Sequence, residues 1–341
     1  MKILFIGTSF GNSYLQYLTL KRMYNNVDII DTFKIFKYKK IVNHLFINLT
    51  PLIFENKINK YILTKIKKKY DLIYVKSGEF IGKKLIIQLK KKTKKIVFFC
   101  NDNPFVRRDK QRWQLFLTAG KYYDLIAFQD QSRIKLSKKF EIKNYLLVLP
   151  PYDKKIHKKQ KILKKNKKKY QNDVIFVGTW SYEKGKFIKT LINLGINVKI
   201  YGSRWNKDEN YKFLKPRTVL GHLYFKDYTK IVQSAKIALC LFAEQNLDTI
   251  TARSIEIPAI GTLLCSKRTL QMKKYFVENK EAVFFYNAKE CAQKCIYYLN
   301  NPRAAKKISN AGKIKITKIL KPSNDMLIKK IIKHTFLKNE N

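Results

Sequence analysis

Few stretches of this sequence combine residue types that could act on a ligand, and the densest runs from Asn246 to Gly261. It holds Asp248, Thr251, Arg253, Ser254, Glu256 and Pro258 between two apolar runs. The spacing predicts a helix from about Thr249 with Asp248 as its N-cap, and Arg253 and Glu256, three apart, then share a face. An arginine so placed can grip a diphosphate through a charge-assisted fork, while a carboxylate one turn on can accept both hydroxyls of a ribose. The competing reading is an internal i,i+3 ion pair worth only a few tenths of a kcal/mol. Such a small gain poorly explains an Arg and a Glu in an otherwise apolar stretch.

Three further segments carry weaker versions of the same chemistry. Gly178 and Thr179 follow an apolar run, and Lys184 stands near the next helix start, so turn amides and an ammonium could cradle a diphosphate. Asp102, just past the run that ends at Cys100, could contact an acceptor hydroxyl or serve as a base, or cap an Asx-type turn before Pro104. Gly7 to Ser13 follows the first apolar run and lacks the full GxGxxG spacing; it reads equally as an anion-binding turn or as a tight turn with Ser13 as helix cap.

The elements that must position these residues alternate. Apolar runs at Lys2–Ile6, Val27–Ile30, Leu72–Val75, Ile96–Cys100, Leu125–Phe128 and Tyr145–Leu149 read as strands, separated by stretches of helical spacing such as Gly82–Lys92 and Ser132–Phe140. After Pro150 and Pro151 comes a lysine run that cannot bury a core and reads as a linker or, less readily, a basic arm. The pattern then restarts, with strands at Asp173–Gly178, Val198–Gly202, Val219–Gly221, Ile237–Phe242, Thr262–Cys265 and Ala282–Phe285. This predicts an α/β chain of two Rossmann-like, doubly wound domains facing each other across a cleft. The expected division is 1–150, a linker over 151–171, a second domain over 172–322, and a C-terminal helix and tail over 323–341.

At 341 residues, 45% apolar and 13% aromatic, the chain can bury real cores. No apolar stretch approaches the ~20 residues of a membrane span, and the N-terminus has no signal-peptide pattern, so a cytoplasmic location is expected. The net charge of +48 would by itself suggest nucleic acid. The excess is mostly Lys, alongside abundant Ile, Asn, Phe and Tyr, which is the drift expected of an AT-rich genome; readers of phosphates and bases favour Arg. Nucleic acid is therefore the less favoured partner, and a peripheral membrane association through the Lys-rich surface stays open. Against that background each arginine is informative: Arg107, Arg108 and Arg112 sit together, and others stand at 204, 217, 253 and 268. Five scattered cysteines without a CxxC pair read as reduced thiols; Cys291 and Cys295 can share a helix face, but no histidine spacing accompanies them and no metal is expected.

These motifs together resemble the CgeB-like (spore maturation protein type) group of GT-B glycosyltransferases, over most of the chain. The residues that carry the resemblance are Val177 to Trp180, Gly195 to Trp205, Asn246 to Gly261, Arg268 with Thr269, Phe276 and Lys280 to Phe285. In the first half they are Asp102 to Phe105, Tyr123 to Leu125 and Pro150 to Asp153. The resemblance implies transfer of a sugar from a nucleotide-diphosphate donor, a UDP-sugar or similar, to a glycan, lipid or protein acceptor, without a bound cofactor or metal and with retention. It implies Glu256 on the donor ribose, Lys184 and Arg253 on the diphosphate, and Gly221 with His222 beside the base. Asp248 and Glu256 fit the acidic pair of retaining GT-B enzymes, although the first position is Asp rather than Glu. The rival readings are a basic nucleic-acid-binding protein and a GT-B-like binding module without turnover.

Overall fold

The computed structural model describes residues 1–163, 170–223 and 225–337. The chain forms two compact units. Unit 1 comprises Met1–Leu149, the short stretch Glu244–Asp248 and the C-terminal helix; unit 2 comprises Pro150–Ala243 and Thr249–Ser323.

Unit 1 begins β1 (Lys2–Gly7), α1 (Gly11–Met23), β2 (Asn26–Asp31), α2 (Lys39–Asn48), α3 (Glu55–Thr64), β3 (Tyr70–Val75) and α4 (Lys83–Lys90). It continues with β4 (Thr93–Cys100), α5 (Gln114–Ala119), β5 (Leu125–Phe128), α6 (Gln131–Ser137) and β6 (Tyr145–Leu147). The six strands lie in the order β2-β1-β3-β4-β5-β6, and every pairing is parallel. Central strands such as Leu72–Val75 are fully buried, because helices cover both faces of a parallel sheet and leave no side of it wet. One face packs on α3, α4 and α5 through residues such as Ile58, Leu85 and Phe116.

Unit 2 contains β7 (Asn172–Val177), α7 (Tyr182–Asn193), β8 (Val198–Gly202), α8 (Tyr211–Leu214), β9 (Thr218–Leu220), α9 (Phe225–Gln233) and β10 (Ala235–Cys240). It ends with α10 (Ala252–Ile260), β11 (Leu263–Lys267), α11 (Leu270–Tyr275), β12 (Val283–Phe285), α12 (Ala288–Asn300) and α13 (Pro302–Ile314). Its parallel sheet runs β12-β11-β10-β7-β8-β9. The last helix, α14 (Asn324–Leu337), returns to unit 1, where Leu327, Ile328 and Ile331 pack with Phe5, Tyr74 and Phe99 on the other sheet face. Among the described residues no helix is long and apolar enough to cross a membrane.

Each expected strand overlaps an observed one. The lysine run is different: residues 164–169 lie outside the described residues, but the part before them is folded onto unit 2. Tyr152 forms a bridge with Ser323, Asp153 and His157 are buried, and Gln160 exchanges hydrogen bonds with Gln233. Lysines on its outer side hid four residues that point inward or pair.

Candidate functional site

In an open parallel sheet, ligands bind outside the carboxyl ends of the strands where the strand order reverses. In unit 2 that point lies between β7 and β10, and both of the unit's candidate segments leave the sheet there. After β7, the Gly178 N–H donates to the Tyr201 carbonyl at 2.9 Å, and its own carbonyl accepts from Trp205 Nε1 at 2.9 Å. A Cβ on Gly202 would stand 1.9 Å from that carbonyl oxygen, so the β7 and β8 ends approach as closely as they do only because position 202 lacks a side chain. Thr179 Oγ1 lies 3.3 Å from Ser203 Oγ, and Lys184, in the first turn of α7, reaches back to the Thr179 carbonyl at 3.4 Å. Gly178, Thr179 and Lys184 are thus brought together at one strand end. Gly221 (φ +115°) and exposed His222 follow β9, two strands from β7 at the sheet edge.

After β10, the helix α10 starts later than its sequence suggests. Thr251, not Asp248, is the N-cap, and its N–H donates to Ser254 Oγ at 3.3 Å, so Ser254 occupies the third helical position that a capping box uses. Asp248 is engaged elsewhere: in unit 1 it pairs with Arg133 at 3.1 Å and accepts from Asn246 Nδ2 at 2.5 Å. The expected Asp248 cap is therefore corrected, and the structure does not bring Asp248 and Glu256 into one unit.

Arg253 and Glu256 do share a face of α10 and form an ion pair between Nη1 and Oε2. Glu256 is only 1% exposed, whereas the Arg253 side chain keeps 32%. The guanidinium lies over the Tyr228 ring, 4.0 Å from its centroid, which fixes its plane. Burial alone would raise the Glu256 carboxyl; Arg253, with help from His157, outweighs it and holds the group below its ordinary value. His157 Nδ1 accepts the Asp153 N–H at 2.9 Å, so the proton of the neutral ring sits on Nε2, which faces Glu256 Oε1 at 3.8 Å. Burial lowers the His157 pKa and favours that neutral form. His157 and Tyr228 carry no motif of their own, being 99 and 28 positions from Glu256; only the fold assembles them.

Unit 1 has its own group of charges at the ends of β3 and β4. Asp102 Oδ1 accepts from Arg108 at 2.8 Å, and Arg108 also grips Asp109. Burial would raise Asp102, but Arg108 holds it below its ordinary value, which makes it a weak proton acceptor and a better hydroxyl anchor. The Asx turn expected here belongs to Asn103, whose Oδ1 accepts from Phe105 N–H at 3.2 Å. Asn103 also binds Asn246 twice, and Arg133, 1% exposed, donates to the Asn101 carbonyl at 2.6 Å as well as to Asp248. Arg133 escaped the sequence reading; the scarcity of arginine was the signal that could have found it. Burial lowers Lys76 to about 8, and its ammonium stands 4.2 Å from the Phe99 ring centroid. Beside this group, at the β1/β3 reversal, opens a cavity of about 410 Å³ walled by Phe10, Phe33, Phe36, Phe46 and Phe80, with the Glu79–Arg112 pair (2.7 Å) on its lining. Ser13 is not the cap of α1, which follows Phe10; its Oγ accepts the Thr8 N–H at 3.1 Å.

Three buried thiols in unit 2, Cys265, Cys291 and Cys295, lie with their sulfurs within 4.8 Å of one another. A structural zinc site takes four ligands, and among the described residues no fourth joins them.

Residues 184–321 match the family model described as glycosyl transferase-like. No curated protein sequence matches the chain. Solved structures do. Sucrose-phosphate synthase from Thermosynechococcus elongatus superposes with a TM-score of 0.70 at 11% identity, over 99% of this chain and 100% of that one. Anabaena HepE in complex with UDP-glucose gives 0.65 at 13%, over 97% and 99%. TarM gives 0.61 at 14%, over 83% of this chain and 58% of that one. The chain therefore has the GT-B fold of two Rossmann-like domains, and its residues Lys184 to Lys321 are similar to a glycosyl transferase-like family.

Proposed function

We propose that the chain transfers a sugar from a UDP-sugar to an acceptor, with the donor held by unit 2 and the acceptor by unit 1. The observation that carries this reading is the Arg253–Glu256 pair, fixed at the strand-order reversal of unit 2 with a third of the arginine still open. A guanidinium has five N–H donors, so Arg253 can keep Glu256 and present others to a diphosphate. Lys184 and the amides of Gly178 and Thr179 supply the rest of the cradle, with His222 and Gly221 toward the base. These fixed charges stabilise the leaving diphosphate without a metal. Glu256 keeps Arg253 and offers its remaining lone pairs to the ribose hydroxyls. Support for uridine comes from relatives of the same fold: HepE was solved with UDP, with UDP and glucose, and with UDP-glucose, and the E. coli trehalose-6-phosphate enzyme with UDP-2-fluoro glucose.

Within this reading the chain is CgeB-like and retaining, and it works in the cytoplasm or at its membranes on a glycan, lipid or protein acceptor. Asp102, held ionised by Arg108, orients the acceptor hydroxyl. Calorimetric titration of UDP, GDP and ADP into wild type and Glu256→Ala tests the donor assignment: UDP binds wild type and the variant binds far more weakly. Absence of nucleotide binding, or equal binding by the variant, overturns it. Transfer or hydrolysis over a panel of UDP-sugars separates an enzyme from a binding module.

A further inference from the structure

Between Asp31 and Glu55 the sequence has no acidic residue and no arginine, but carries lysines at 34, 37, 39 and 40. The same stretch holds the densest group of exposed large apolar side chains among the described residues: Phe33, Tyr38, Ile41, Leu49, Leu52 and Ile53, each at least 45% exposed. Lysine is as frequent here as along the rest of the chain; what sets the stretch apart is the clustering of exposed large apolar side chains with no acid or arginine among them.

The segment is two-faced. On α2, Val42 and Phe46 are one turn apart and line the aromatic cavity of unit 1. Ile41, Leu45 and Leu49 fall at successive four-residue steps on the adjoining stripe, with Tyr38 three positions before them, and Tyr38, Ile41 and Leu49 face water. Leu52 and Ile53, past the helix end, are exposed as well, and Phe33, before the helix, meets Phe10 edge-on at 4.8 Å. Lys34 and Lys37 are exposed among them.

The chemistry selects the partner. Protein interfaces deplete lysine at their cores, and strand-binding surfaces for nucleic acid use aromatic platforms with arginine rather than exposed Ile and Leu. Exposed aliphatic side chains preceded by exposed lysines, in a stretch without an acid, suit the boundary between acyl chains and anionic head groups. We propose that residues 33–53 dock unit 1 on an anionic lipid surface, with Lys34 and Lys37 against the head groups and Tyr38, Ile41, Leu49, Leu52 and Ile53 in the acyl boundary. The mouth of the aromatic cavity then lies beside the lipid. This goes beyond the donor reading and does not depend on it.

Co-sedimentation of the full chain with vesicles tests it, using pure phosphatidylcholine and phosphatidylcholine mixed with phosphatidylglycerol. The wild type binds the mixed vesicles and not the neutral ones. Lys34→Gln/Lys37→Gln weakens binding about fivefold per lysine. Ile41→Ser/Leu49→Ser/Ile53→Ser weakens it about tenfold or more. Lys306→Gln/Lys307→Gln, which removes two exposed lysines from α13, leaves it unchanged. Thermal unfolding of each variant, with and without UDP, shows that the fold and donor side are intact, so failure of the nucleotide reading is seen separately. No binding of wild type to mixed vesicles overturns the proposal, as does equal binding by the segment variants or an equal loss in the α13 control. So does a dimer that the apolar variants dissolve, which would make a second copy the occupant, or tighter binding of single-stranded RNA than of vesicles through the same lysines.

Discussion

Replacing Glu256 by Gln keeps its shape and removes its charge, leaving Arg253 near the positive end of α10 without a counter-ion. Breaking a fully buried ion pair by removing one partner costs about 3–5 kcal/mol. Arg253 is 32% exposed, so the loss is set lower, at about 2–3 kcal/mol, because its outer part stays solvated. For a unit of roughly 170 residues, each kcal/mol moves the melting temperature by about 2–4 °C, giving a fall of about 4–12 °C in the unit 2 transition. A second effect runs the other way in wild type: UDP at a hundredfold excess over its Kd stabilises by about 2.7 kcal/mol, or about 5–11 °C. Differential scanning fluorimetry with and without UDP reads both. The expected result is a lower transition in Glu256→Gln together with loss of most of the UDP shift. A variant that melts low but keeps the full UDP shift refutes a role for Glu256 in the donor site and leaves it as the anchor of Arg253. A variant that melts as wild type refutes the energetics of the pair.

Three other outcomes follow from the same geometry. Arg133→Met removes the partner of Asp248 in unit 1 and should cost about 3–5 kcal/mol in denaturant unfolding, while Arg133→Met/Asp248→Asn should recover part of it because no lone buried charge remains. His157, whose pKa burial lowers from about 6.5, binds more protons unfolded than folded just below that pH, so unit 2 loses stability as pH falls through 6.5; His157→Gln should flatten that slope in a series of melts. Gly202→Ala places a methyl 1.9 Å from the Gly178 carbonyl oxygen, so the β7 and β8 ends must part; UDP affinity should fall tenfold or more by calorimetry, and affinity equal to wild type would dismiss the cradle.

Much of the architecture was legible before folding, for a physical reason. A strand buried on both faces must be apolar along its whole length, so Leu72–Val75 or Ile237–Cys240 announces itself as a short run. The Arg253–Glu256 pairing was equally local, since residues three apart on any helix are neighbours. The start of α10 was misread because Asp248 and Thr251 are both good caps, and which one caps depends on what else each can bind. Arg133, well over a hundred positions away, claims Asp248.

By itself, then, the sequence determined the alternation of strands and helices, the two-domain α/β class and the shared face of Arg253 and Glu256, all of which follow from periodicity within a few residues. Only the tertiary structure decided that His157 and Tyr228 close around Glu256, that Arg133 holds Asp248 in unit 1, and that Gly202 lets two strand ends touch. Those contacts join residues far apart along the chain, and their energies depend on burial and on competing partners, neither of which exists until the sheets have formed.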